Sequence, residues 1–163
     1  MFSEVYRSFF GLASQLWRVQ NRSILSSDLI VGIIGRRFIC PNDTRWNSKF
    51  DATEDLSEQK DKLNLVMDAI QERRFTPDEL IFLDEYVFIM GPLAKTLDKL
   101  QGNDASIGLV LPAIVSLQKF YKEVVNEGSL KFCVVFAKFI LWDLDDRTKH
   151  LFKDKDYLLG KLN

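Results

Sequence analysis

The fold class is indicated most clearly by residues 76–102, which read TPDELIFLDEYVFIMGPLAKTLDKLQG. Thr76 can cap a helix with its hydroxyl, Pro77 suits the first helical position because no donor is lost there, and Glu79 can bond back to the cap. Apolar residues then recur at the spacing of one helix face: Leu80, Leu83, Val87, Met90, Ala94 and Leu97. We therefore predict a long helix that begins at Thr76 and ends at Gly102.

Toward the N-terminus, the same spacing predicts two earlier helices. The first has a single apolar stripe made of Val5, Phe9, Leu12, Leu16 and Val19. Residues 21–27 are polar and are predicted to form a turn. A short helix is then expected from about Asp28 to Gly35.

The region between this short helix and the long one is predicted in three parts. Residues 36–43 lack a helical period, and Pro41 favours an extended conformation before it. A helix is predicted from Asp43 or Thr44, either of which can accept from free backbone N–H groups, to about Leu56. A second helical piece has apolar residues on one face: Leu63, Val66 and Ile70.

Two more helices are predicted after the long one. The first has its apolar residues at Val110, Ile114, Leu117, Tyr121 and Val124. It is expected to end near Gly128, and Ser129 is predicted to cap a last helix that runs through Leu144, with a continuation into Leu151 and Phe152 left open. No stretch has the alternation of a strand. The prediction is an all-α fold, a bundle of six or seven mostly antiparallel helices without a sheet, with residues 1–163 in a single domain.

Composition agrees with one globular domain, since the 163 residues are 47% hydrophobic and 28% charged. Thirteen phenylalanines against four prolines and eight glycines favour helices over a turn-rich sandwich. The net charge is −1 but is unevenly spread. Residues 1–50 hold seven Lys/Arg against three Asp/Glu, and residues 51–163 hold fifteen against twenty. An anionic partner is therefore expected to bind the N-terminal third.

Few residues could form a metal or nucleophile site. Cys40 and Cys133 make no CxxC pair and the sequence has one histidine, His150, so no metal site is predicted. Cys133 lies in an apolar run and is expected in the core. Unpaired cysteines indicate a reducing intracellular compartment, nuclear or cytoplasmic. The apolar run at residues 132–142 is too short to span a membrane, and no membrane partner is predicted.

Carboxylates are plentiful but are not expected to form an active site. Asp143, Asp145 and Asp146 cluster on one predicted helix, and adjacent acids on a helix point to different sides. A solvated charged face is therefore the expected role. No catalytic residue, cofactor or small-molecule substrate is predicted, and the chain is not expected to be an enzyme.

The segment PNDTRWNS, residues 41–48, places a cation where a helix start normally holds an acid. Arg45 falls in the first turn of its predicted helix, where the helix dipole disfavours positive charge. Two interpretations stay open: Arg45 pairs with Asp43 or Asp51 while Trp46 packs in the core, or Arg45 binds a phosphate while Trp46 stacks on a base. The candidate nucleic-acid-binding residues in and around this segment are Arg36, Arg37, Arg45, Trp46, Asn47 and Lys49.

Residues 41–52, PNDTRWNSKFDA, closely resemble the arginine–tryptophan motif of hAT-type DNA transposases. Three further stretches are similar to the same family in order and spacing: residues 16–23, 111–119 and 151–159. The resemblance covers nearly the whole chain, and the run at residues 44–48 is its most specific part.

The resemblance implies a helical domain without its own catalysis. Transposases of this family cut DNA with two aspartates and a glutamate on a ribonuclease-H-like sheet, and an all-helical domain is inserted between the second aspartate and the glutamate. This chain is similar to that insertion alone. In the family the motif tryptophan stacks on an unpaired base near the DNA end; it matches Trp46, and the adjoining arginine matches Arg45.

Two functions follow as expectations. The first is a non-catalytic, transposase-derived domain that keeps weak, salt-dependent DNA binding through Arg45 and Trp46. The second is a helical module that binds another protein or itself and has no role on DNA. An insertion domain without its catalytic sheet exposes an apolar patch, which favours association.

Overall fold

The computed structural model describes residues 1–42, 47–101 and 107–149. In these ranges the chain is all-α, as predicted, with seven α-helices, one 3-10 turn at Ile107–Leu109 and no strand. The helices are α1 (Phe2–Arg22), α2 (Ile24–Ile34), α3 (Ser48–Glu58), α4 (Lys60–Ala69), α5 (Pro77–Gln101), α6 (Val110–Glu127) and α7 (Val134–Thr148). None of the helices in the described ranges combines the length and apolar character that crossing a membrane requires.

The chain separates into two compact units, Met1–Val87 and Phe88–Asn163. α1 to α4 belong to the first unit, and α6 and α7 belong to the second. α5 contributes its N-terminal part to the first unit and its C-terminal part to the second. That residues 1–163 act as one domain stays a prediction.

The start of α5 is confirmed. The Thr76 hydroxyl accepts from the Glu79 N–H at 3.2 Å, and the Glu79 carboxylate accepts from the Thr76 N–H at 2.8 Å. This reciprocal pair satisfies two backbone donors that a helix start leaves without partners. α5 runs through Gln101, and the predicted end at Gly102 lies outside the described residues.

The core of the first unit is rich in aromatic rings from α1 and α5. The ring centroids of Phe9 and Phe82 are 5.4 Å apart, and those of Phe10 and Tyr86 are 5.2 Å apart. α2 packs against α1 and α4. Several large side chains from α1, α3, α4 and α5 are fully buried here: Phe9, Leu16, Leu56, Leu63, Met67 and Phe82.

The prediction of a turn over residues 21–27 was wrong, because α2 begins at Ile24 rather than at Asp28. Ser23 is the physical reason: its hydroxyl accepts from the Ser26 N–H at 3.1 Å and caps the helix. The predicted end is confirmed, since Gly35 adopts the left-handed conformation with a φ of 84°.

α3 and α4 are the two consecutive helical pieces that the sequence predicts, and α3 extends to Glu58. The predicted start at Asp43 or Thr44 lies outside the described residues. Residues 36–42 form no helix, as predicted.

In the second unit, α6 buries four of its predicted core residues. They are Ile114, Leu117, Tyr121 and Val124. The Tyr121 hydroxyl donates to the Ile89 carbonyl of α5 at 2.8 Å. α6 ends at Gly128, which has a φ of 63°, and α6 packs along α7.

The prediction that Ser129 caps the last helix was wrong, because α7 begins at Val134. Phe132 and Cys133 are buried before the helix begins, so Cys133 is a core residue as predicted. Burying these two side chains outweighs the capping preference of one serine. α7 runs through Leu144, as predicted, to Thr148. Leu151 and Phe152, the predicted continuation, lie outside the described residues.

Candidate nucleic-acid interface

The predicted DNA-binding motif lies between Asn42 and α3. Residues 43–46, which include Arg45 and Trp46, lie outside the described residues, so their contacts with DNA stay predictions. The two ends of the segment are held together: the Ser48 hydroxyl accepts from the Asn42 N–H at 3.2 Å and donates to the Asn42 carbonyl. Two hydrogen bonds therefore join Asn42 to Ser48, which stand on either side of residues 43–46 in the sequence.

Asn47, another predicted contact, is almost fully buried at the start of α3. Its carbonyl accepts from the Asp51 N–H at 2.8 Å, which forms the first turn of the helix. Because so little of Asn47 is exposed, a nucleic acid has little of this side chain to contact.

Arg36 is engaged by two carboxylates of α3. Its guanidinium forms an ion pair with Asp55 and lies 3.4 Å from Glu58. The hydrogen bond with Asp55 raises the pKa of Arg36. Asp55 is buried, so moving Arg36 to a phosphate would leave a buried carboxylate without its cation, which is costly. Arg36 therefore holds the end of α2 against α3 through these two carboxylates.

Gln20 and Asp55 fix the segment that follows Arg36. The Gln20 side chain accepts from the Phe38 N–H at 2.8 Å and donates to the Phe38 carbonyl at 3.0 Å. Asp55 accepts from the Ile39 N–H at 2.8 Å. Sequence reasoning missed both residues. A signal existed for Gln20, because it stands four positions after Leu16, on the buried stripe of α1.

Arg37 caps the end of α1. Its guanidinium donates to the Gln20 carbonyl at 3.0 Å and to the Asn21 side chain at 3.2 Å. A cation at a helix C-terminus is favourable because it lies against unpaired carbonyls and the negative end of the dipole.

Lys49 packs on the rings of α1. Its ammonium lies 3.9 Å from the centre of the Phe10 ring and donates to the Tyr6 hydroxyl at 2.8 Å. The contact combines a cation–π interaction with a hydrogen bond and joins α3 to α1.

An acidic surface adjoins these cations. Asp51, Glu54, Asp55 and Glu58 of α3, together with Ile39, line an opening of about 350 Å³. Carboxylates repel the phosphates of a nucleic acid. The predicted residues Arg36, Arg37 and Lys49 therefore each have a partner within the chain, at different places: Arg36 on the carboxylates of α3, Arg37 at the end of α1, and Lys49 on Tyr6 and Phe10.

The acidic cluster of α7 is an exposed charged face. Asp143 accepts from Arg147 at 2.7 Å, and Asp146 pairs with Lys149 at 2.6 Å. Asp145 accepts from the side-chain amide of Gln118 at 2.7 Å. Within residues 1–42, 47–101 and 107–149, no group of three or more His, Cys, Asp or Glu side chains could hold a metal ion.

The cysteines have different environments. Cys133 is fully buried, and Cys40 is partly buried beside Gln20 and Asn21. Burial raises the pKa of the Cys40 thiol, which lowers its reactivity as a nucleophile. His150, considered with them in the sequence, lies outside the described residues.

The exposed surface of α7 carries an apolar stripe that the sequence analysis did not single out. Val135, Phe139 and Trp142 are 63%, 57% and 61% exposed, and we call these three residues the α7 apolar stripe. The ring centroids of Phe139 and Trp142 are 6.1 Å apart. The signal was the sequence VVFAKFILW at residues 134–142, since a helix that is apolar all round has more apolar surface than one face can bury.

A second exposed apolar surface lies in the first unit. It consists of Ile24, Leu25, Leu29 and Val31, and we call it the α2 apolar face. α2 buries Ile30 and Ile34 on its other side.

Comparison of the chain with protein-family models, with curated proteins and with solved structures found no match. The similarity to hAT-type transposases therefore rests on the sequence motifs at residues 41–52 and the three stretches that accompany them.

Proposed function

We propose that this chain is a non-catalytic helical module, derived from the insertion domain of an hAT-type transposase, that binds protein through the α7 apolar stripe. The observation that supports it most directly is the exposure of Val135, Phe139 and Trp142 on one face of α7. These residues stand four and three positions apart, so they form one continuous surface.

The size of this surface favours docking. An aromatic side chain presents about 150–250 Å², and more than half of Phe139 and Trp142 is exposed. With Val135 the stripe offers roughly 300 Å² of apolar area. At about 25 cal/mol per Å², covering it contributes about 7 kcal/mol before the costs of association. Contiguous apolar patches of this size on a protein surface are often functional.

Protein is favoured over nucleic acid by the contacts of three cations that the sequence predicted to bind a nucleic acid. Arg36 pairs with a buried carboxylate, Arg37 caps a helix and Lys49 packs on Phe10. The acidic surface of α3 lies beside them. A phosphate backbone needs free cations on one face, and these three are already bound within the chain.

The proposal of a non-catalytic role is supported by the carboxylates of α7. Asp143 and Asp146 are each neutralised by a cation one turn away on an exposed face. General acid–base chemistry instead favours carboxylates whose surroundings shift their pKa toward neutrality.

DNA binding through Arg45 and Trp46 is the second proposal. It is favoured by the match of residues 41–52 to the hAT motif, in which an arginine precedes the stacking tryptophan. If it holds, Trp46→Ala lowers affinity for DNA with unpaired bases by about 1–3 kcal/mol, the usual contribution of one base–aromatic stack.

Site-specific photo-crosslinking tests the first proposal. A benzoylphenylalanine at position 139 keeps an aromatic ring on the stripe, and the same group at exposed Lys122 of α6 is the matched control. We expect protein adducts in the source cells from position 139 and none from position 122. The trapped partner must then bind the purified chain, and Phe139→Ser must weaken that binding. The absence of protein adducts at position 139 contradicts the proposal.

A DNA titration tests the second proposal. Purified chain is mixed at low salt with duplex, single-stranded and hairpin DNA, beside the variants Arg45→Ala and Trp46→Ala. DNA contact by the motif is supported if the affinity rises as the salt concentration falls and if binding is lost in both variants. An absence of binding to all three DNAs at low salt excludes it.

A further inference from the structure

We propose that the α7 apolar stripe binds a second copy of this chain, with the two α7 helices antiparallel about a twofold axis beside Trp142. This inference rests on the proposed function and names the partner of the same surface. The distribution of charge along the edge of the stripe is the evidence for it.

Most charges near the end of α7 are already paired within the helix. Asp143 pairs with Arg147 and Asp146 pairs with Lys149. Lys138 and Asp145 are both exposed, and no ion pair among residues 107–149 involves either of them. Asp145 accepts a hydrogen bond from the neutral amide of Gln118, which leaves its charge uncompensated. One positive and one negative group therefore remain on this helix.

These two groups flank Trp142 on one edge of the stripe. Lys138 stands four positions before Trp142 and Asp145 stands three positions after it. Residues three or four apart are neighbours on a helix surface, so both side chains border the indole. The midpoint between Lys138 and Asp145 falls beside Trp142 itself.

That arrangement is self-complementary for one orientation. When a second α7 lies antiparallel with the axis at Trp142, Lys138 of each copy faces Asp145 of the other, and the twofold axis makes both pairs identical. In a parallel pair, with the twofold axis along the helices, this edge of the two copies lies on opposite sides of the contact, so no such charge pairs form. Charge complementarity therefore selects both the occupant, a second copy, and its direction.

The apolar residues fit the same packing. Two Trp142 side chains meet near the axis, and Phe139 of each copy packs toward the helix surface beyond Trp142 of the other. Antiparallel helices in contact interlock their side chains in this way at a small crossing angle.

The size of the contact sets the expected strength. Two stripes of roughly 300 Å² cover roughly 600 Å² of apolar area, below the 1,200–2,000 Å² buried by standard stable interfaces. The dimer is therefore weak, and its population depends on protein concentration.

The α2 apolar face does not lead to the same inference. α2 carries a single charged residue, Asp28, so no opposite charge on the helix gives a second copy an orientation.

Sedimentation equilibrium of the full chain over a range of concentrations tests the proposal. We expect a reversible monomer–dimer equilibrium that Phe139→Ser or Trp142→Ser weakens by about tenfold or more. Both residues are exposed, so the variants are expected to fold, and circular dichroism checks this. Lys122→Asp, a charge reversal at an exposed position of α6, is the matched control and leaves the association constant unchanged.

Charge exchange tests the orientation. Lys138→Asp alone and Asp145→Lys alone each weaken association by about threefold to tenfold, because each places like charges opposite one another twice. The double variant, with both charges exchanged, restores association to within about twofold of the parent. Gln118→Ala controls for the hydrogen bond that Asp145→Lys also removes.

Two results overturn the inference: a parent chain that stays monomeric at every concentration, or a double exchange that associates no better than the single variants. Crosslinking at position 139 separates this failure from that of the proposed function. If position 139 crosslinks only to a different protein, the proposed function stands and the dimer is refuted. If position 139 forms no adduct with any protein, both proposals are refuted.

Discussion

Replacing Glu79 by glutamine tests a buried carboxylate of the first unit. Glu79 is 2% exposed and accepts four hydrogen bonds. Two come from the Arg73 guanidinium at 2.6 and 2.8 Å, one from the Ser8 hydroxyl at 2.7 Å and one from the Thr76 N–H at 2.8 Å. Glu79→Gln keeps the size of the side chain but removes its charge and one acceptor oxygen.

The magnitude follows from the pKa of Glu79. Burial acts to raise this pKa, but the bonds from Arg73, Thr76 and Ser8 outweigh it and lower the pKa from 4.5 to about 2. At roughly 1.4 kcal/mol for each pKa unit, the folded state favours the carboxylate by about 3 kcal/mol. We expect Glu79→Gln to lower the free energy of unfolding by about this amount at neutral pH.

Urea denaturation followed by circular dichroism measures the loss. Asp68→Asn is the matched control, because Asp68 accepts two bonds from Arg74 in the same connection, at 2.7 and 2.5 Å, but lies exposed. Solvent screens an exposed pair, so its loss is expected to be much smaller. Equal effects of the two variants, or no effect of Glu79→Gln, would refute the reasoning.

The same variant has a defined pH dependence. The pKa of Glu79 is lower in the folded state than in the unfolded chain, so its stabilisation is fully present above about pH 4.5. It is lost as pH falls toward 2. The difference in unfolding free energy between the parent and Glu79→Gln should therefore shrink over that interval, and a difference that stays constant contradicts the pKa argument.

Three further substitutions probe the backbone and the core. In thermal unfolding, Gly11→Ala inside α1 should stabilise by about 0.5–1 kcal/mol and Gly35→Ala should destabilise by about 1 kcal/mol. Both added methyl groups meet open space, so equal effects would contradict the role of the positive φ at Gly35. Tyr121→Phe should cost about 1 kcal/mol by removing the bond to the Ile89 carbonyl, measured by urea denaturation, and a neutral result would show that this buried bond adds nothing.

Helix boundaries were predictable where neighbouring residues alone determine them. The pair Thr76 and Glu79 identified the start of α5, and Gly35 and Gly128 identified two ends, because each acts within one turn of the backbone. The overall class followed from apolar spacing in the same way. Such signals need no knowledge of the tertiary fold.

Two predicted helix starts, at Asp28 and at Ser129, were wrong. Ser23 caps α2 although the surrounding segment is polar and turn-like, and Ser129 starts no helix although its composition suits a cap. A cap contributes about 1 kcal/mol, whereas burying a side chain the size of Phe132 contributes about 2–3 kcal/mol. Where the two compete, tertiary packing determines the boundary, and sequence spacing does not reveal it.

The candidate site was predictable as a set of residue types but not as an arrangement. Charge counted along the sequence placed Arg36, Arg37 and Lys49 together as possible phosphate contacts. Their partners come from distant segments: Asp55 and Glu58 from α3 for Arg36, and rings of α1 for Lys49. Only the packing of α1, α2 and α3 brings those groups within bonding distance.

The positive excess of residues 1–50 therefore does not translate into a positive surface around the described site. Asp55 and Glu58, which balance the charge of Arg36, belong to residues 51–163, where acidic residues are in excess. Folding places both carboxylates directly against Arg36. A partner that recognises charge meets the carboxylates of α3 beside Ile39 in this region. The α7 apolar stripe is different, because its rings stay exposed while the neighbouring Asp143 and Asp146 are already paired. At the α7 apolar stripe, the surface energy still to be gained by binding is thus largely apolar, and this supports the proposal of a protein partner.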